Sequence, residues 1–494
     1  GYTGYDPMYS MLVWGSPDWD IRDYKNYWAV PNEVQNSSYT AGNNNPYFNQ
    51  FQRKHPYKKD VFNGQFTANY EVTDWLKAMV RTGYDNYSNK QEVVISQGSF
   101  QGGGATTVLN KGTEVWGESQ RGSYNEGIGR GFSTNTDAML LVQKGVKDWS
   151  IDGFVGGSIF YQQNEGIESM TQGGLSIPAF YSLKSSMNPV FVNSITSKQQ
   201  VNSVYGKLGL GWKSLAFLEG TFRNDWASTL PKATRSYFYP SVSGSFIPSE
   251  LMNAGNWLSF WKLRGSWATY LTPAGIYAIN NVYTISPNSW GTLSSASFPT
   301  NIRPSNIRPE GSTSTEVGTD VNFLGNRIST NVTLYQKKMY DFIVNAPISP
   351  SSGFNSVFTN SREERMRKGI EITLGGTPVK TKDFSWDVAF NWTKYATHFT
   401  RLDSQYSVNN RDWVKVGKRA DYYTINQYQT DNNGNIVFNN GVPTYKPILS
   451  LAGYSDPDWI WGFNTNLHYK NFSFSLSMDG RVGGLAQSTT EMYM

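Results

Sequence analysis

Three histidines, His55, His398 and His468, are the side chains of this sequence best suited to binding a metal or moving a proton near neutral pH. They lie far apart, and none has the H-x-x-x-H or H-E-x-x-H spacing that puts two imidazoles on one helix face. The absence of cysteine excludes thiolate metal sites, thiol nucleophiles and disulfides. Gly102, Gly103 and Gly104, and the pair Gly173 and Gly174, lack the following Lys-Ser/Thr that completes a phosphate-binding loop, so they read as loop glycines. Glu363 and Glu364 are adjacent carboxylates, but they sit in the mixed-sign run Arg362 to Arg367, which reads as a solvated loop. No Ser/His/Asp set can be assembled from spacing. The sequence therefore predicts no catalytic residue, no metal site and no cofactor, and it does not read as an enzyme.

The residues with a binding chemistry are of two kinds. Glu219, Thr221, Arg223 and Asp225 recur at every second position, with Gly220, Phe222 and Asn224 between them, so on a strand they share one polar face. They fit either a contact surface for a polar ligand or an ion network within a wall. Trp14, Trp19, Tyr24, Tyr27, Trp28 and Trp116 fall in segments without strand periodicity. There they fit stacking on sugar rings, gripping of peptide side chains, or packing of one loop on another.

Positioning such faces requires strands. Period-two patterning recurs in pairs: Phe66, Ala68 and Tyr70 with Leu76, Ala78, Val80, Thr82 and Tyr84; Asp137 to Val142 with Trp149, Ile151, Gly153, Val155, Gly157, Ile159 and Tyr161; Val204, Leu208, Leu210 and Trp212 with Ala216 to Trp226. Three further pairs run Val317 to Phe323 with Ile328 to Leu334, Ile370 to Leu374 with Phe384 to Trp392, and Trp461 to Tyr469 with Phe472 to Met478. The opposite faces of these last pairs carry Asp320, Asn322, Asn331, Glu371, Asp387, Asn391, Asn464 and a run of serines, a face that wants water. Each strand reads as about ten residues, the length that crosses a bilayer when tilted. Tight turns alternate with long polar segments, Ser88 to Thr136, Glu165 to Lys198 and Thr272 to Ser312, as in a barrel with short periplasmic turns and long extracellular loops.

Composition agrees. Aromatic residues make up 15% of the chain and charged residues only 16%, which suits strands with one apolar face, one wet face and aromatic belts. The longest apolar run, Ala138 to Val142, is far too short for a membrane helix. A net charge of +5 with no cluster of five basic residues gives no footprint for nucleic acid. The fold class expected is all-β, a transmembrane antiparallel β-barrel in the bacterial outer membrane, in contact with its lipid.

Several segments, in order, resemble the SusC/RagA family of TonB-linked (TonB-dependent) outer-membrane transporters. Arg223, Asn224, Asp225, Ala227 and Ser228 are similar to its R-x-D-x-S motif, and Phe238 to Ser243 (FYPSVS) to the F-x-P-S-x-S that follows. Trp261 to Trp267 (WKLRGSW) resembles K-L-R-x-S-x-G, although Ala268 to Tyr270 depart from its glycine-containing end. Arg308, Pro309 and Glu310 with Glu316, Gly318 and Asp320 resemble P-E-x(n)-E-x-G-x-D. Lys368 to Glu371 resemble the N-x-G-x-E strand, and Gly453 to Asp458 the G-x-x-x-P entry to a late strand. The resemblance covers roughly residues 60 to 485.

It implies a 22-stranded barrel, incomplete here, so that residues 1–494 are a partial barrel of a larger chain. Nothing in the sequence corresponds to the family's plug domain, its TonB box or its last strands. An open sheet edge facing lipid leaves unpaired backbone groups, which also predicts a larger chain. The implied activity is TonB-energised import of oligosaccharides or peptides, with a SusD-like surface lipoprotein as lid and TonB as partner. In that setting Glu219, Arg223 and Asp225 face the lumen, and the loop aromatics are the substrate-binding candidates. The alternatives are a passive porin or channel, a barrel enzyme, and a β-rich adhesin or glycan-binding protein, the last favoured by solubility without detergent.

Overall fold

The computed structural model describes residues 11, 19–36, 44–99, 121–252, 255, 257–285, 293, 295–406 and 411–488. Fourteen long strands follow one another in an antiparallel meander. They are β1 (Tyr57–Thr73), β2 (Leu76–Ile95), β3 (Ser123–Val146), β4 (Trp149–Leu175), β5 (Ser186–Trp212), β6 (Ala216–Ala227) and β7 (Ser236–Phe246). The series continues with β8 (Leu258–Thr272), β9 (Glu310–Phe323), β10 (Ile328–Tyr340), β11 (Glu364–Lys380), β12 (Phe384–Arg401), β13 (Trp459–Tyr469) and β14 (Phe472–Val482). Every strand pairs with the next in sequence, and the short segment Arg53–Lys54 joins the sheet beside the end of β2. The outer edges of β1 and β14 stay unpaired among the described residues, so the wall is open.

Turns and loops segregate by end. At one end the chain reverses in two residues between β1 and β2, β3 and β4, and β13 and β14, with Lys147 and Lys470 taking the left-handed backbone (φ 54° and 52°) that a tight hairpin needs. At the other end run the long connections 96–122, 273–309, 341–363 and 402–458. In an outer-membrane barrel the long-loop end faces outward.

Side-chain alternation splits the wall into two chemistries. The outer face carries Ala78, Leu140, Val155, Leu208, Leu218, Val317, Leu334 and Ile370, in register across neighbouring strands. Aromatic rings border this band. Trp149 and Trp212 lie 6.4 Å apart at the turn end, while Phe62, Tyr84, Phe132 and Tyr161 form a row at the loop end with centroids 5.8–6.4 Å apart. From Trp149 to Tyr161 the strand covers roughly 40 Å, which at a tilt of roughly 40° spans about 30 Å, the thickness of a bilayer core.

Beyond Tyr161 the strand continues to Leu175, so β2 to β5 rise well past the band. This corrects the expected ten-residue strands and the expected loops at 88–136 and 165–198: β2 runs to Ile95 and β3 begins at Ser123, while β4 runs to Leu175 and β5 begins at Ser186. The physical reason is that a strand above the membrane has water on both sides, as at Arg130 and Glu165, and loses the alternation that marks it in sequence. The run Arg362 to Arg367 is likewise no free loop, because β11 begins at Glu364. One strand pair, β7 with β8, escaped the alternation because Ser, Gly and Pro240 interrupt it; Pro240 lies just outside the stretch where β7 pairs with β8.

The loops carry their own small cores. Ala227, Leu230, Tyr237, Ala274 and Ile307 are buried together under the connections that follow β6 and β8. Before β1, a short helix α1 (Pro46–Gln52) starts at Asn45, whose side chain accepts hydrogen bonds from the Tyr47 and Phe48 amides, with Pro46 at the first helical position.

Candidate functional site

The inward face of β2 to β8 carries a chain of ionic and tyrosyl groups. Arg81 Nη2 donates to Asp137 Oδ2 at 3.0 Å, and Tyr205 Oη donates to Asp137 Oδ1 at 2.8 Å. The second bond spans from β5 to β3, passing over β4, where Gly156 opposite Tyr205 leaves the surface bare. The Arg223 guanidinium lies 5.3 Å from the centre of the Tyr205 ring, donates to Ser203 Oγ at 2.8 Å and to Asp225 Oδ1 at 2.8 Å. Tyr239 Oη donates to Asp225 Oδ2 at 2.7 Å, and its ring stacks on Tyr237. Asp225 and Asp137 are buried, at 6% and 5% exposure, so every one of these acceptors is matched away from bulk water.

Next to this network is a depression of about 560 Å³, lined among others by Asp152, Glu219, Ser243, Lys262, Arg264 and Glu316. Lys207 Nζ bridges Asp152 at 3.0 Å and Glu219 at 2.9 Å. Arg264 pairs with Asp320 at 3.4 Å and donates to Thr333 Oγ1 at 2.6 Å, again passing over an intervening strand. Its guanidinium lies across Gly318, where an added Cβ would come within 2.8 Å of the guanidinium carbon, so this tie requires a glycine there. The surface so formed is charged of both signs, cross-linked between strands and rich in hydrogen-bonding groups.

The six aromatic candidates divide. Trp14 and Trp116 lie outside the described residues. Trp19, Tyr24, Tyr27 and Trp28 belong to the cap that precedes β1, at the long-loop end. Trp28 meets the fully buried Phe48 edge-on at 5.1 Å, Trp19 meets Tyr24 at 5.7 Å, and Tyr27, Phe51 and Tyr47 form a stacked series with centroids 5.9 and 6.4 Å apart. Glu219, Arg223 and Asp225 stand on β6, all on one face of the strand as the spacing predicts. The residues that complete their network, Asp137, Tyr205, Tyr239 and Lys207, were not singled out by sequence reasoning. Register counted from the tight turns is the signal that finds them: pairing Val146 with Trp149 puts Asp137 opposite Ser158, and pairing Trp212 with Ala216 puts Ser203 opposite Asp225.

Outside the membrane, the connection 402–458 is held by buried carboxylates. Burial works against ionisation of Asp421, but Arg419, donating at 2.6 and 3.0 Å, and the Asp456 amide outweigh it and hold the carboxyl below its ordinary value. Burial is likewise outweighed at Asp403 by the amides of Arg362, Gln405 and Tyr406.

Comparison with known proteins gives a consistent result. The family described as "TonB dependent receptor-like, beta-barrel" matches residues 2–489. The TonB-dependent receptor SusC of Bacteroides thetaiotaomicron is 28% identical over 310 residues, which is 56% of this chain and 30% of SusC. TonB-dependent receptor P3 of Formosa agariphila is 22% identical over 488 residues, covering 89% of this chain and 46% of that protein. Among solved structures, the RagAB peptide importer in its open-open state superposes with a TM-score of 0.74 at 17% identity, covering 92% of this chain and 50% of that chain. This chain thus spans half or less of the length of these relatives.

Proposed function

The chain belongs to the TonB-dependent receptor-like β-barrel family, and from that premise we propose that it forms the wall and outer loops of an active importer in the bacterial outer membrane. The observation that carries this reading is the pairing of an apolar, aromatic-bordered outer face with a polar, cross-linked inner face along the same strands. Such a wall encloses a water-filled or filled bore, and it makes and breaks no bond. Transport would be driven through TonB, with substrate captured between the outer loops and a SusD-like lipoprotein lid. Oligosaccharides and peptides are the substrate classes proposed. The peptide class is the one named for the RagAB peptide importer, and the oligosaccharide class rests on the family resemblance of the motifs alone.

The test is uptake by cells carrying the full-length protein. Accumulation of a labelled oligosaccharide or peptide mixture should fall to background when the gene is deleted, when TonB is removed or when a protonophore collapses the energy supply. Affinity capture from outer membranes should retain a lipoprotein partner. Uptake that persists without TonB, or recovery of the protein only as an open channel with steady conductance, would establish a passive porin instead.

A further inference from the structure

Most charges on the inner face are matched: Arg81 with Asp137, Arg223 with Asp225, Lys207 with Asp152 and Glu219, Arg264 with Asp320. One strip of β9 to β12 breaks the pattern. Lys337 of β10 and Arg367 of β11 are direct cross-strand partners on the inner face, two cations side by side. Like charges in that position destabilise a sheet. Among the described residues neither makes an ion pair; Arg367 donates instead to Thr397 Oγ1 at 3.0 Å and stacks over the Tyr395 ring at 4.8 Å. Their neighbours are matched elsewhere, Arg365 with Glu363 at 2.6 Å and Lys338 with Glu364 at 2.8 Å.

Toward the turn end of the same strip stand two carboxylates, Glu316 and Glu371, which make no ion pair among the described residues. Glu316 lies opposite Tyr335 and Glu371 opposite Thr333. Tyr335 stands among Glu371, Arg367, Tyr395 and Glu316. Its ring lies flat on the wall because residue 369 is glycine: a Cβ there would fall 2.4 Å from the ring. The cation pair therefore lies at one end and Glu371 at the other, with the Tyr335 ring and, opposite it, Glu316 between them.

Depth places the strip within reach from outside. On the outer face, Gln336, Lys338 and Lys368 already leave the apolar band that runs Ile328 to Leu334 and Ile370 to Leu374. Lys337 and Arg367 are thus at the rim of the lumen. Along the wall the cation pair lies roughly 7 to 13 Å from the two carboxylates, from two to four residues of strand. An extended chain of two to four residues covers the same span between its ammonium and its carboxylate.

Resting on the importer reading above, we propose that Lys337, Arg367, Tyr335, Glu371 and Glu316 form a binding strip for short zwitterionic peptides, the cation pair receiving the free carboxyl terminus and the glutamates the free amino terminus. The empty state then carries the repulsion of Lys337 and Arg367, and the ligand's carboxylate relieves it. A neutral oligosaccharide brings no charge to match at either end.

Binding to the full-length transporter in detergent tests this with alanyl-tyrosyl-alanine, its carboxy-terminal amide, its amino-terminal acetyl derivative and an oligogalacturonate. The tripeptide should bind at least tenfold more tightly than its amide. The double substitution Lys337→Gln with Arg367→Gln should abolish that difference. Glu371→Gln should weaken the free tripeptide by a larger factor than the acetylated one. No binding of the tripeptide, or equal binding of tripeptide and amide, would overturn the proposal. So would oligogalacturonate binding that depends on Lys337 and Arg367 while the tripeptide is ignored, or substitutions that lower only the melting temperature of the unliganded protein. Uptake in cells separates this from the importer reading: energised uptake indifferent to end-group chemistry sinks the strip alone, and uptake unaffected by gene deletion sinks the importer.

Discussion

Replacing Asp225 by alanine removes one carboxylate that two strands share. Its side chain accepts from Arg223 at 2.8 Å and from Tyr239 at 2.7 Å, and the residue is only 6% exposed. A hydrogen bond to a charged, buried acceptor contributes about 1.5 to 3 kcal/mol. The Tyr239 share should be about 1.5 to 2 kcal/mol. The Arg223 share is smaller, about 1 kcal/mol, because that guanidinium is 39% exposed and keeps Ser203 and the Tyr205 ring. Asp225→Ala should therefore cost about 3 kcal/mol, Tyr239→Phe about 1.5 kcal/mol, and the two together about 3 kcal/mol, since the second change removes a donor whose acceptor has gone. The assay is urea unfolding of the full-length protein in detergent, followed by the mobility difference between folded and unfolded barrel on unheated gels. Glu165→Gln is the control, because its pair with Arg130 at 2.7 Å stands in water above the band, and it should leave the midpoint where it was. A Glu165→Gln shift as large as that of Asp225→Ala, or fully additive effects of Asp225→Ala and Tyr239→Phe, would refute the reasoning.

Val155 sits midway along the apolar band of β4, so Val155→Arg should cost about 2 to 4 kcal/mol in lipid, whereas Ser266→Arg on the depression of the inner face should cost under about 1 kcal/mol. Paired unfolding in the same lipid vesicles checks this, and equal costs would mean the two faces have been exchanged. Asp421 and Asp403 are held below the ordinary aspartate value of 3.8. Groups whose folded value is depressed contribute stability above the unfolded value and lose it as pH falls through the folded one. The connection that these carboxylates hold should accordingly stay protected from amide exchange at pH 5 and above and lose protection progressively as the pH falls below about 4, and Asp421→Asn should remove the share of that acid dependence that Asp421 carries.

What could be read in the sequence was whatever depends on one strand at a time. The polar face of Glu219, Thr221, Arg223 and Asp225 follows from period two, and the tight turn at Lys470 and Asn471 from the reversal of the pattern around it. The heights of β2 to β5 were hidden because residues such as Arg130 and Glu165 are polar on a strand with water on both sides. The run at Arg362 to Arg367 looked like a solvated loop for the same reason, since charge density carries no period; its structural role appears only when Arg367 is set opposite Lys337. The network around Asp137 and Tyr205 needs three strands placed in register, which depends on turn lengths rather than on any local preference.

Three of the ties on this face reach over a strand instead of joining neighbours: Tyr87 to Asn164 above Gly131, Tyr205 to Asp137 above Gly156, and Arg264 to Thr333 above Gly318. Ladder bonds between adjacent strands yield one seam at a time, as a zip does. A tie that skips a strand behaves like a hoop on a cask, so that opening either seam beneath it also strains the other. Strain applied to one strand is then shared by three at each hoop, and the wall keeps its gauge under a load that would part a simple ladder.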